Sequence, residues 1–116
     1  MSTPRLIYHL CHAEDWRTAG ADGYDGSPAA RADGFLHLST ATQVEESAAR
    51  HFAGVQPLML VTVEAAALGD GLRWEPSRHG QLFPHLYGPL PLTAVVGVAE
   101  LTLDRDGAHN FPVLED

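Results

Sequence analysis

Lysine is absent from the chain, so every basic side chain is an arginine. Schiff-base chemistry on a lysine is thereby excluded, and so is the lysine clamp of a P-loop. Positive charge is scarce altogether: seven arginines face 15 acidic residues, for a formal net charge of −8. The arginines (Arg5, Arg17, Arg31, Arg50, Arg73, Arg78 and Arg105) are scattered and form no run. That argues against a nucleic-acid partner, because such binding rests on a basic footprint. One arginine can still hold one phosphate bidentately. Cysteine occurs once, at Cys11, so no internal disulfide is available and a reducing compartment is the simpler expectation. No apolar run approaches the roughly 20 residues that span a bilayer. Met1 to Arg5 lacks the basic and apolar regions of a secretory signal, so a cytoplasmic protein without a membrane partner is expected. Neither GxGxxG nor GxxxxGK(S/T) occurs, which leaves Rossmann and P-loop folds unsupported.

What is present suits an ordinary globular protein, with 45% hydrophobic and 19% charged residues in 116. Neither a repeat nor a linker divides the chain, so a single domain over residues 1–116 is expected. Arg5 to Cys11 reads as a first strand and His12 to Ala19 as a short helix stopped by Gly20. His12 is a candidate cap for that helix. Ala21 to Gly34, with Gly23, Gly26 and Pro28 among polar residues, reads as a loop. Phe35 to Thr40 is a second strand, and Thr40 doubles as an N-cap for a helix over Ala41 to Phe52. Val44, Ala48, His51 and Phe52 trace that helix's apolar stripe. Pro57 to Val63 is the most apolar stretch and reads as a central strand. A helical turn at Ala65 to Leu68, short strands at Leu72 to Glu75 and Phe83 to Tyr87, and a long final strand at Ala94 to Leu103 complete the order. Helices early and strands late predict an α+β fold: a small, twisted, mostly antiparallel sheet with two main helices.

Side chains alternate across a strand, which identifies the residues that share a face. His9 lies in phase with Ile7 and Cys11, His37 with Phe35 and Ser39, and His85 with Phe83 and Tyr87. Each therefore has apolar or aromatic company on its own face, the setting of a pocket wall. A single histidine of this kind is as well explained by a satisfied structural hydrogen bond. Three in such surroundings point to a shared ligand pocket. His12, His51, His79 and His109 are read as structural or surface residues.

Several chemistries fit three imidazoles. They can ligate zinc with an open fourth position, with Ser39 or Glu75 orienting them, although no HxH or HExxH pair occurs. The HxS element His37-Leu38-Ser39 is half of a two-histidine phosphoesterase signature whose second copy is missing. A histidine on an early strand can bond a ribose hydroxyl while Phe83 or Tyr87 stacks on a flat ring. Arg50, Arg73 or Arg78 could then meet a pyrophosphate, and Glu75 could stabilise a cationic transition state. Leu82 to Leu92 (LFPHLYGPLPL) is the most distinctive segment. Its prolines stiffen the backbone that presents His85 and Tyr87 and imply a sheet edge or a bulge.

Six pieces carry a family resemblance that spans Ile7 to about Leu101: IYHL at Ile7, Trp16, GFLHLST at Gly34, Gln43, LRWEP at Leu72 and LFPHLYGPLPL at Leu82. By these the chain is identified as a member of the uncharacterised bacterial family called domain of unknown function 952, which resembles the ADP-ribosyltransferase fold. The resemblance implies that the sheet is split, and it implies NAD or ADP-ribose as ligand, with NAD a substrate. It matches His9 to the first-strand histidine that holds the nicotinamide ribose and sets His37 with Ser39 at the second-strand position, usually a tyrosine. The third position, usually a glutamate, is here the segment with His85 and Tyr87. That departure puts transfer to a protein side chain in doubt and leaves nucleotide binding implied. The arginine set of the related RNA 2′-phosphotransferases has no match. The candidate site is thus His9, His37 and His85 as catalytic groups, with Ser39, Thr40, Glu75, Phe83 and Tyr87 as ligand contacts and no resident metal. The partner expected is a small nucleotide or metabolite. A non-enzymatic binding module and a three-histidine metal hydrolase are the alternatives, and a monomer is the default.

Overall fold

A computed structural model describes residues 3–20 and 23–116. Six strands form two antiparallel three-stranded sheets. In the first, β3 (Leu58–Glu64) is central between β1 (Leu6–His12) and β6 (Val95–Leu101). In the second, β5 (Leu82–Leu86) is central between β2 (Leu36–His37) and β4 (Leu72–Pro76). The apolar run expected as a central strand is therefore β3. Leu58, Leu60, Val61 and Val63 on it are all buried. The fold is α+β as expected, and the expected split sheet takes the form of two three-stranded sheets.

Strand alternation divides the interior. Ile7, Cys11, Val61 and Val63 pack with Leu36, Leu86, Tyr24 and Leu90 in a core that reaches both sheets. Leu6, Tyr8, Leu10, Leu58 and Leu60 point the other way, onto Val44, Ala48, Leu101, Phe111 and Leu114. The β1 strand is thus buried on both faces, and His9 shares the side of Ile7 and Cys11.

The helices depart from expectation. Instead of two main helices there are three short ones: α1 (Ala13–Trp16), α2 (Pro28–Asp33) and α3 (Val44–His51). In place of eight residues α1 has four, because the Thr18 hydroxyl and amide both bond to the Asp15 carbonyl and tighten the chain into a turn. His12 occupies the N-cap position without a side-chain cap bond. The expected loop at 21–34 contains α2; of that loop, Ala21 and Asp22 lie outside the described residues, as do Met1 and Ser2 of the N-terminal segment. The α2 helix has a serine cap, a proline in its first turn and a left-handed glycine, Gly34, at its end. α3 begins at Val44 because residues 41–43 form a turn on the Thr40 carbonyl. The Thr40 amide bonds to Gln43 Oε1, so Thr40 does not cap through its own hydroxyl. No helix among the described residues is long and apolar enough to cross a membrane.

The second strand is shorter than Phe35 to Thr40 for a specific reason. Leu36 and His37 pair with Leu86 and His85, and the Leu38 amide then bonds to the Pro84 carbonyl at 3.0 Å. Pro84 has no N–H to return that bond, so the ladder ends. Ser39 crosses to the other sheet, where it exchanges two hydrogen bonds of 2.8 Å with Tyr8. Pro84 therefore lies in a central strand rather than at the expected edge or bulge. Its nitrogen falls where β2 has stopped pairing.

The chain between α1 and α2 is pinned by Tyr24, whose backbone exchanges bonds of 2.9 and 2.7 Å with Leu90. Gly23 makes this approach: its φ is +103°, and an added Cβ would lie 2.5 Å from the Leu90 carbonyl oxygen. Gly34 has a positive φ of +86° with open space around it. Gly34→Ala is expected to cost about 1 kcal/mol from backbone strain alone. Gly23→Ala is expected to cost at least about 2 kcal/mol, since strain and the broken bridge combine. Urea unfolding of both variants checks the order, and equal losses would contradict it.

Candidate functional site

The splice between the sheets sets the site. Because Ser39 pairs with Tyr8, the neighbouring His9 lies against the end of β2, and its Nδ1 donates to the His37 carbonyl at 2.8 Å. A carbonyl can only accept, so the proton of neutral His9 is on Nδ1 and Nε2 is a bare acceptor. That Nε2 is closed from solvent and has no hydrogen-bond partner among the described residues. Burial, opposed by the bond to the His37 backbone and aided slightly by the His37 charge, lowers the His9 pKa to about 4. His9 is therefore neutral at physiological pH.

His37 and His85 face one another across the β2–β5 pairing. Their ring centroids lie 5.2 Å apart, edge to face. Phe35 packs against both, at 4.7 Å from His37 and 4.4 Å from His85. Each imidazole has its own carboxylate. His37 Nε2 lies 2.9 Å from Asp33 Oδ2, both side chains half exposed. His85 Nδ1 lies 2.8 Å from Glu75 Oε1, with His85 buried. The Tyr87 hydroxyl donates to that same Glu75 oxygen at 2.8 Å, and Arg73 sits over the Tyr87 ring. The bonds from His85 and then Tyr87 hold the Glu75 carboxyl below its ordinary range, and the bond to Glu75 raises the Tyr87 phenol. Glu75 fixes the His85 tautomer: Nδ1 carries a proton and Nε2 is left for a ligand.

His9, His37 and His85 line one cavity of about 460 Å³, together with Ser39, Phe83 and Arg78. A hollow of about 320 Å³ adjoins it and shares His9, Leu10, Ser27 and Phe52. Of the other expected ligand contacts, Glu75 and Tyr87 stand behind His85 rather than on the wall. Thr40 is also off the wall, its hydroxyl 3.1 Å from that of Thr42. Five polar wall residues were not among the candidates: Ser27, Asp33, Ser47, His51 and Ser77. Of these, only His51 carried a signal, the helical spacing that sets it one turn beyond Ser47. His109, by contrast, is structural, with Nε2 2.8 Å from the Val55 carbonyl. The metal alternative lacks its ligand set. Among the described residues no three His, Cys, Asp or Glu side chains are grouped to hold a metal ion. Cys11 supplies no nucleophile either, because burial pushes its thiol up to about 11.

The His9 shift has a thermodynamic consequence. Its folded-state pKa lies below the unfolded value, so between about pH 6.5 and 4 the unfolded chain binds more protons and stability falls as pH falls. This contributes roughly 2 kcal/mol of loss between about pH 7 and pH 5. His9→Asn, which retains a donor for the His37 carbonyl, is expected to remove that part of the pH dependence. Denaturation at the two pH values measures it, and an undiminished dependence would refute the assignment to His9.

The Caulobacter crescentus protein CC0527 is similar to this chain. Its crystal structure is 46% identical, with a TM-score of 0.85, over 90% of this chain and 93% of that one. Its solution NMR structure gives 47% identity and a TM-score of 0.76, over 90% of each chain. Among functionally curated proteins nothing matches. Residues 10–98 match the family described as protein of unknown function DUF952. The chain belongs to that family.

Proposed function

We propose that this cavity binds a ribonucleotide of the NAD or ADP-ribose class and that His85, oriented by Glu75, is its acid–base group. The observation that carries the reading is the convergence of three imidazoles in different hydrogen-bond states on one cavity of small-molecule size. His9 has an unprotonated Nε2 that lacks a donor among the described residues; it is closed from solvent, so a ribose hydroxyl supplies one only once the wall opens on binding. His37 and Ser39 position the sugar. Two antiparallel sheets meeting at the cavity agree with the resemblance to ADP-ribosyltransferases. The third-strand glutamate of those enzymes has a counterpart of another kind: Glu75 reaches the pocket through His85.

With NAD as substrate, hydrolysis runs as follows. A water oxygen bonds to the anomeric carbon of the ribose, and the bond from that carbon to the pyridinium nitrogen breaks. Its electron pair leaves with neutral nicotinamide, and the water proton passes to His85 Nε2. General acid–base catalysis of this kind contributes about 10²- to 10⁴-fold.

Calorimetry with NAD and with ADP-ribose tests the binding, and nicotinamide release tests the reaction. Wild-type protein is expected to bind ADP-ribose at millimolar concentrations or below. His9→Ala is expected to weaken binding by about 3- to 10-fold, the worth of one hydrogen bond. His85→Gln is expected to cut nicotinamide release at least about 100-fold with little change in affinity. Absence of heat with either ligand at millimolar concentration would eliminate the nucleotide reading. Binding without nicotinamide release would eliminate the hydrolytic step and leave a binding module.

A further inference from the structure

Arg78 stands apart from the other ion-paired arginines. The side chains of Arg5, Arg31 and Arg50 are 63%, 50% and 47% exposed, whereas that of Arg78 is 14% exposed and lies on the cavity wall. In a chain of net charge −8, a guanidinium taken out of water needs compensation. What holds it is incomplete. Its Cζ lies 5.0 Å over the Phe83 ring, and its Nη2 donates to Ser47 Oγ at 3.2 Å. Its Nε is 3.3 Å from Glu46 Oε2, yet it is closed from solvent and has no aligned hydrogen bond among the described residues. Glu46 is half exposed and also pairs with Arg50 at 3.7 Å, so its charge is shared.

The hydroxyls beside Arg78 have a proton to spare. Ser47 Oγ and Ser39 Oγ lie 3.1 Å apart and are buried. Ser47 accepts from Arg78, and one of the two serines donates to the other. Whichever donates, the remaining hydroxyl proton is unspent. His51 lies on the same wall one turn beyond Ser47, with Ser77 next to Arg78 in sequence. His79 follows in the left-handed region with φ of +58°, its Nε2 3.2 Å from Arg50 Nη2. A planar cation with unspent donors and two neighbouring hydroxyls is the chemistry that recognises a tetrahedral oxyanion.

We propose that Arg78, Ser47 and Ser39 form the phosphate subsite of the cavity, and that its ligands are phosphate esters or pyrophosphates rather than uncharged nucleosides. This rests on the cavity being a nucleotide site and assigns the phosphate to one wall of it. Inorganic pyrophosphate, ADP-ribose and adenosine are the probes, titrated by calorimetry against wild type, Arg78→Gln, Arg78→Lys and Ser47→Ala, with thermal unfolding of each variant as a folding check.

Pyrophosphate is expected to bind the wild type and to lose about 10- to 100-fold in affinity with Arg78→Gln, with a smaller loss for Arg78→Lys, which retains the charge without the fork. Adenosine is expected to bind the wild type more weakly than ADP-ribose and equally in all the variants, which a general collapse of the cavity would not allow. Equal pyrophosphate affinity in wild type and folded Arg78→Gln would overturn the proposal, as would no pyrophosphate binding by the wild type. If Arg78→Gln does not fold, Ser47→Ala decides: a loss of about 3- to 10-fold supports the subsite and wild-type affinity overturns it. Arg78-dependent binding of pyrophosphate with none of ADP-ribose or adenosine would leave the subsite standing and remove the nucleotide reading.

Discussion

Two hydrogen bonds between Tyr8 and Ser39 join the halves of this structure. Each sheet has only three strands, too few to enclose a pocket by itself. The splice makes β1 and the strand after His37 into neighbours, and this alone brings His9 against the His37 carbonyl. Its cause is a negative property of one residue. Pro84 cannot donate, so β2 stops pairing with β5 after one further bond and the chain is free to change partners.

The polar groups gathered at that junction are expensive to bury, and the arrangement offsets most of the cost locally. His85 meets a carboxylate, Ser39 meets Ser47, and Gln43 bridges the Thr40 amide and the Leu82 carbonyl. The exceptions are informative. Among the described residues, His9 Nε2, the Tyr24 hydroxyl and Arg78 Nε are closed from solvent without hydrogen-bond partners, and both His9 and Arg78 lie on the cavity wall. Two of these three side-chain atoms thus belong to residues that border the hollow.

Legibility differed between the strands and what joins them. The three histidines stood out because alternation along a strand is a local property, and each had apolar company two residues away. The β3 strand was plain from its run of apolar residues. The α2 helix was readable in principle, since Ser27-Pro28 is a capping pair and Gly34 a terminator, but Gly23 and Gly26 just upstream read as loop. The length of β2 was not readable, because the interruption comes from a proline 46 residues downstream of Leu38 that faces it only after pairing. For the same reason Ser47 and Asp33 carried no functional mark: one is a small residue on an amphipathic helix and the other ends a six-residue helix.

The amino-acid order determined by itself the α+β class, the central β3 strand, the face of each histidine and the scarcity of positive charge. These follow from side-chain type and from the period of strand and helix, which act over a few residues. Tertiary structure alone decided which strands each sheet takes, that Glu75 serves His85, and that one arginine of seven reaches the cavity. Those outcomes depend on which distant backbone edges pair, and a pairing between residues 8 and 39 leaves no trace in the local pattern of either.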